Sequence, residues 1–137
     1  MRLRAPFLVS VASLIWMVGA VPDAIAHTFT ADSSISIKAT PHSPVQDGTD
    51  VVVHGKVKSS RSSCEKHRTV KLFMVRAGND KLLDHDATDR EGEYGFTRTI
   101  RKTQTLYTKV VRRLHTSYGH SHDCKGATSD KLKIRTD

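Results

Sequence analysis

Hydrophobic and polar residues alternate with a period of two along most of the chain from residue 34 onward, the pattern of half-buried β-strands. No segment shows convincing helical spacing. Seven segments carry the alternation, and we name these predicted strands A to G: residues 34–40, 50–59, 69–77, 81–87, 93–100, 105–114 and 130–136. Turn residues such as Pro41, Pro44 and Gly78 lie between them. The chain is therefore predicted to be all-β.

The alternation also predicts the side chains that face the core. They are Val51, Val53 and Val57 in strand B, Val70, Leu72 and Met74 in C, Tyr94, Phe96 and Ile100 in E, Leu106, Val110 and Leu114 in F, and Leu132 and Ile134 in G. Seven short strands with regular turns favour an antiparallel immunoglobulin-like β-sandwich. Residues 115–127, between F and G, are predicted to form a long irregular loop.

The N-terminus has the three parts of a secretory signal peptide. Arg2 and Arg4 precede an apolar run that is short for a membrane span, and Ala24-x-Ala26 is a small-residue cleavage site. We expect residues 1–26 to be removed and residues 27–137 to form one domain. The sequence therefore predicts a protein that is secreted or held at the cell envelope.

Basic residues exceed acidic ones, with 22 Lys and Arg against 14 Asp and Glu and a net charge of +8. Loss of the signal peptide lowers this charge by one. The basic residues are spread over several elements, as on a solvated surface. Export argues against nucleic acid as the target, so an anionic envelope polymer, a lipid surface or another protein is the expected partner of a monomer.

Two cysteines remain after export, Cys64 in the B–C loop and Cys124 in the F–G loop. In an exported chain the simplest prediction is one disulfide, and the alternative is a pair of metal-binding thiolates. Because B–C and F–G loops lie at the same end of an immunoglobulin-like sandwich, the bridge should join two loops at one pole. The antibody pattern of a core disulfide beside a Trp is absent.

The stretch "HDATDREGEYGF" (residues 85–96) gathers acidic residues around Gly92. Neither possible register places the required residues at the fifth and sixth positions of an EF-hand calcium loop. The alternative needs only Asp89 as a local hydrogen-bond acceptor and Gly92 at positive φ, before Tyr94 and Phe96. We predict a structural turn, most simply a hairpin connection.

A resemblance rests on these same residues. "VVVHGKV", "RTVKLFMVRAGNDKLLDHDATDREGEYGFT" and "LYTKVVRRL" resemble the bacterial immunoglobulin-like and carboxypeptidase-regulatory-like (prealbumin-type) β-sandwich modules, including small secreted proteins. Thr88, Asp89, Gly92, Tyr94 and Phe96 match the T-D-x-x-G-x-Y-x-F pattern of those modules. The likeness covers residues 49–114 and departs from the pattern before Tyr107. It implies a fold and an extracytoplasmic module, not an activity.

Histidines supply the candidate ligands of a metal site. His115, His120 and His122 lie in the F–G segment and His67 lies three residues after Cys64, so nitrogen and sulfur donors for zinc would converge where the loops meet. With the cysteines oxidised, a histidine-only site would suit copper, nickel or zinc. A second arrangement uses the imidazole and new α-amine of His27 with His85 or His122. The alternative to both is a solvated polar loop.

No catalytic motif stands out: G-x-S-x-G, a phosphate-binding loop and H-E-x-x-H are all missing. The sequence thus predicts a non-catalytic protein with a binding or structural role at the cell envelope or outside the cell. Its alternative is an extracytoplasmic metal-binding protein, and a secreted enzyme of unrecognised type is the third hypothesis.

Overall fold

The computed structural model describes residues 26–137, and these residues form an all-β structure. Its strands are β1 (Thr28–Ala31), β2 (Ser33–Ile35), β3 (Lys38–Thr40), β4 (Thr49–Ser59), β5 (Thr69–Met74), β6 (Lys81–Ala87), β7 (Glu93–Ile100), β8 (Gln104–Val110), β9 (Arg113–Ser117), β10 (His120–Cys124), β11 (Ala127–Thr128) and β12 (Leu132–Ile134). Within the described residues, the one helical segment is a 3-10 turn at Ser62–Cys64. The predicted signal peptide lies outside the described residues. Within them, no helix is long and apolar enough to cross a membrane.

The seven predicted strands form two antiparallel sheets. In the first sheet, β4 pairs with β7 along one edge. Along its other edge, β4 pairs with β3 through residues 52–54 and with β2 through residues 57–59. In the second, β5 lies between β6 and β8, and β11 and β12 both pair with β8. In the naming of the predicted strands, the orders are A–B–E and G–F–C–D.

One apolar core is formed by residues of both sheets. Val51, Val53 and Val57 of β4 are fully buried, as are Val70 and Leu72 of β5. They belong to one cluster with Val45, from the connection between β3 and β4, and with residues of other strands: Ile35, Ala39, Tyr94, Phe96, Ile100, Leu106, Val110 and Ile134. The inward faces predicted for strands B, C, E and G are confirmed. Alternate side chains of a strand point to opposite faces, so burial of one face gives the observed period of two.

A third, three-stranded sheet was not predicted. Its order is β1–β10–β9, with β1 parallel to β10 and β9 antiparallel to it. Residues 115–127 are therefore largely a β-hairpin, and the prediction of an irregular loop was wrong. The predicted end of strand F was also wrong, because β8 ends at Val110. Leu114 lies in β9 instead, with 59% of its surface exposed. These polar strands pair through their backbones, so alternation of apolar residues does not reveal them.

The acidic stretch forms a turn, but not a hairpin. Strand β6 before it pairs with β5, whereas β7 after it pairs with β4, so the turn crosses from one sheet to the other. The Asp89 carboxylate accepts hydrogen bonds from the backbone amides of Glu91 at 2.9 Å and Glu93 at 2.8 Å. Gly92 has a φ of +81°. The hairpin was the wrong expectation, because a local turn signal does not reveal which sheet the next strand joins.

Candidate functional site

The disulfide closes one end of the molecule. Cys64 ends the 3-10 turn between β4 and β5, and Cys124 ends β10, so the bridge joins the two predicted connections at one end. Both cysteines are buried, with Cα atoms 5.4 Å apart, and pack with Ala31 and Phe29 of β1. The predicted pairing is confirmed. We call this end of the molecule the disulfide pole.

A buried arginine organises the backbone of this pole. Arg68 is fully buried, and its guanidinium donates to the carbonyl oxygens of Cys64, Cys124, Val111 and Lys125, the last two at 2.9 Å. Burial, and after it the charge of Arg113, lowers the pKa of this guanidinium, which stays protonated because its ordinary pKa is so high. The carbonyl dipoles replace the carboxylate that a buried arginine commonly has. Arg68 is therefore a structural cation.

Cross-strand register places four histidines on one face of the three-stranded sheet. Phe29 of β1 is paired with His122 of β10, which is paired with His115 of β9. Paired residues point to the same side of a sheet, as do residues two apart along a strand. His27 and His120 therefore share the side of Phe29, His115 and His122, and we call this surface the histidine face.

The imidazoles on this face are in direct contact. The Nε2 atoms of His27 and His122 are 3.4 Å apart, and their ring centroids are 5.6 Å apart. The ring of His120 packs on that of His27 at 4.0 Å, and the rings of His115 and His122 are separated by 6.3 Å. Phe29 stacks on His122 at 4.2 Å. Burial, followed by the neighbouring histidines and Arg61, lowers the pKa of His122 and so favours its neutral imidazole.

A cationic cleft of about 310 Å³ lies between the histidine face and the connection from β4 to β5. Its lining residues are Ser63, Lys66, His67, Arg113, His115, His122 and Cys124. Arg113 ties the two walls together by donating to the carbonyl oxygens of Lys66 and His67, each at 3.1 Å, and of Ser63. Among the described residues, no carboxylate lines this cleft.

The predicted metal ligands come together only in part. His115, His120 and His122 share the histidine face, while His67 lies across the cationic cleft. His85 lies in β6 of the five-stranded sheet, so only His122 of its two predicted companions is beside His27. Within residues 26–137, no three or more His, Cys, Asp or Glu side chains already surround a common metal position. The disulfide removes both thiolates from the ligand set.

The strand that brings His27 to this site was not predicted from the sequence. The signal was available as H-T-F-T-A and H-S-H-D-C, two segments with histidine or an aromatic residue at alternate positions. Neither segment has the apolar alternation of a core strand: on their shared face Ala31 and Cys124 are buried, whereas the histidines are exposed or half-buried. Arg68 and Arg113 were counted only as surface charge, and nothing local distinguishes them from the other basic residues.

The chain matches no family model, and no curated protein matches it. Among solved structures it is similar to the sulfur carrier protein SoxY from Chlorobium limicola f thiosulfatophilum, with 13% identity, a TM-score of 0.44 and 74% of each chain covered. It is also similar to a conjugative transposon lipoprotein from Bacteroides eggerthii, with 10% identity and a TM-score of 0.34 over 73% of this chain and 95% of that chain. The resemblance to immunoglobulin-like and carboxypeptidase-regulatory-like modules stays a prediction.

Proposed function

We propose that this protein is a small exported, non-catalytic, immunoglobulin-like β-sandwich module that binds an anionic envelope polymer at its disulfide pole. Export is supported by the N-terminal sequence pattern and by the disulfide, because such bonds persist in oxidising compartments. The immunoglobulin-like assignment is supported by the A–B–E and G–F–C–D strand orders. In this protein strand D pairs with strand C, whereas in the constant-type immunoglobulin fold strand D pairs with strand E.

The observation that carries the proposed ligand class is the cationic cleft. Lys66 and Arg113 supply fixed positive charge there, His67, His115 and His122 supply further donors, and no carboxylate among the described lining residues opposes an anion. A concave surface of one sign of charge raises the local concentration of oppositely charged groups. Arg113 already donates to three carbonyl oxygens, so it contributes positive charge and holds the two walls of the cleft together. The exposed Lys66 side chain is free to contact a bound polymer.

Binding to immobilised poly-glutamate and polyphosphate tests this proposal. The double variant Arg61→Gln/Lys66→Gln removes two exposed charges near the cleft and should weaken binding about three- to tenfold. Lys133→Gln/Arg135→Gln removes two exposed charges, one in β12 and one directly after it, so it is matched in net charge and should change affinity much less. Affinity should also fall steeply with added salt.

Equal weakening by the two double variants would contradict a role for the cleft and leave only diffuse surface charge. Binding that is insensitive to salt would contradict the anionic ligand class itself.

A second candidate function, binding of a transition-metal ion, is favoured by one distance. The Nε2 atoms of His27 and His122 face each other at 3.4 Å on the histidine face. Its ligand is a cation, whereas the ligand of the first candidate is an anion. Zinc or copper should bind to the protein without any polymer, and the affinity should depend on histidines rather than on Arg61 and Lys66.

A further inference from the structure

We propose that His27 and His122 are the first two ligands of a transition-metal site, with His115 as the third, bound through imidazole nitrogens on the histidine face. This inference rests on the second candidate function and specifies its site. The ligands come from three strands: His27 immediately precedes β1, His122 lies in β10 and His115 lies in β9. A bound ion would therefore connect all strands of the three-stranded sheet.

The separation of the two Nε2 atoms fits shared ligation better than a hydrogen bond. Hydrogen bonds donated by N–H groups are typically about 2.7–3.2 Å long. Two nitrogens held at about 2.0–2.1 Å from one tetrahedral ion lie roughly 3.3 Å apart. The distance between His27 Nε2 and His122 Nε2 is 3.4 Å, so an ion could join them with little movement of either ring.

Ring separations select the third ligand. Two imidazoles on one tetrahedral ion have centroids roughly 5 Å apart, because each centroid is about 3 Å from the metal. The His27–His122 separation of 5.6 Å is close to this value, and the His115–His122 separation of 6.3 Å needs a modest rotation of the exposed His115 side chain. The 4.0 Å between His27 and His120 is a packing contact and is too short for two rings that radiate from one ion.

The same geometry argues against chelation by the α-amine of His27. An N-terminal histidine closes a six-membered chelate ring through its Nδ1 atom, whereas Nε2 is on the far side of the imidazole. Here Nε2 is the atom of His27 that faces His122. The predicted arrangement in which the new N-terminus supplies a ligand is therefore replaced by one that uses imidazoles alone.

The donor set indicates the class of ion. Three neutral imidazoles, with a remaining position open to solvent, suit Zn(II), Cu(II) or Ni(II) rather than Mg(II) or Ca(II), which prefer oxygen ligands. Arg61 lies over the ring of Phe29 at 4.6 Å, and Arg113 lines the adjacent cleft, so the ion meets positive charge and no carboxylate among these contacts. We expect weaker affinity than that of a site with a carboxylate ligand.

Calorimetric titration of the exported, disulfide-bonded protein with Zn(II) and Cu(II) tests the site. His27→Gln and His122→Gln should each weaken binding at least about tenfold, and His115→Gln should also weaken it. His85→Gln is the matched control, since His85 is an exposed histidine of β6 in the five-stranded sheet. The visible spectrum of bound Co(II) should be tetrahedral in the parent protein and altered in His115→Gln.

Two outcomes would overturn the inference in different ways. If the parent protein binds metal but His27→Gln and His122→Gln bind equally well, the site assignment fails while the metal-binding function stands. If neither Zn(II) nor Cu(II) binds, both fail. A variant with one alanine added before His27 should bind like the parent, and loss of binding there would show that the α-amine is a ligand.

Discussion

At the scale of single residues, Tyr94 shows how one polar group joins the two sheets. Its ring lies in the core with 5% of the residue exposed, and its hydroxyl donates to the carbonyl oxygen of Ser36. The hydroxyl is also 2.9 Å from Thr108 Oγ1 of the opposite sheet. Burial raises the pKa of Tyr94 to about 12, against a hydrogen bond from Thr108 that lowers it.

This raised pKa predicts a loss of stability at alkaline pH. Below about pH 10 both states keep the Tyr94 proton, and between about pH 10 and 12 the unfolded chain loses it first, so the free energy of unfolding falls with rising pH. A shift of this size corresponds to roughly 2–3 kcal/mol. Tyr94→Phe should be less stable at neutral pH and should lose stability less steeply across that window in urea unfolding.

The control for this measurement is Tyr118→Phe, because Tyr118 is 97% exposed in the turn between β9 and β10. It should retain the slope of the parent protein. A Tyr94→Phe variant with the parent's full pH dependence would show that other groups account for the alkaline loss.

At the scale of elements, Gly55 allows the chain between β2 and β3 to approach β4 closely. A Cβ atom at this position would overlap the Ser36 carbonyl and lie 2.6 Å from Tyr94 Oη. The backbone amide of Ser36 donates to the carbonyl oxygen of Lys56 at 3.0 Å, which holds the segment between β2 and β3 against β4. Strand β4 therefore needs the smallest residue there, although its neighbours at alternate positions are valines.

Gly55→Ala should lower the free energy of unfolding by roughly 2 kcal/mol or more, because the added methyl group meets backbone that cannot move aside. Gly95→Ala in the paired strand β7 is the matched control. Its Cβ would meet only Val52 Cγ1 at 4.0 Å, so the effect should lie within about 0.5 kcal/mol. Chemical denaturation measures both, and equal effects would contradict the close approach at Gly55.

The elements also differ in how far the sequence revealed them. Val51, Val53 and Val57 could be assigned to an inward face because burial enforces their alternation. Leu114 was assigned wrongly for a physical reason: its alternation continues that of β8, yet the chain leaves the sheet after Val110. Strands β1, β9 and β10 lack the apolar alternation of the core strands, and backbone pairing defines them.

At the scale of the whole molecule, the disulfide holds the three-stranded sheet to the rest of the structure. The bond spans a sequence separation of 60 residues and connects β10 to the segment before β5. In the chain-entropy model, closing such a loop contributes about 4 kcal/mol. Cys64→Ser/Cys124→Ser should therefore lower the free energy of unfolding by about that amount in urea.

Treatment of the parent protein with a reducing agent should reproduce the double variant. Equal stability of the oxidised and reduced forms would contradict this account and leave Arg68, with its carbonyl partners on both sides of the bond, as the main tie at the pole.

The residues of the candidate site were also only partly predictable from the sequence. The sequence identified Cys64, Cys124, His115, His120 and His122 as candidates and brought the right loops to one end. It offered both His85 and His122 as companions of His27 and could not choose between them, because the parallel pairing of β1 with β10 links residues about 95 positions apart. His67 was assigned to the same ligand set from sequence proximity to Cys64, and the structure places it on the opposite wall of the cleft.

By itself, the sequence determined the all-β class, the inward face of most core strands and the disulfide, because period-two burial and cysteine pairing leave local or compositional signals. Only the tertiary structure decided the third sheet, the passage of the chain from β6 to β7 between sheets, the burial of Arg68 and the contact of His27 with His122. Each of these depends on backbone pairing or packing between distant segments, and such contacts leave no periodic pattern along the chain.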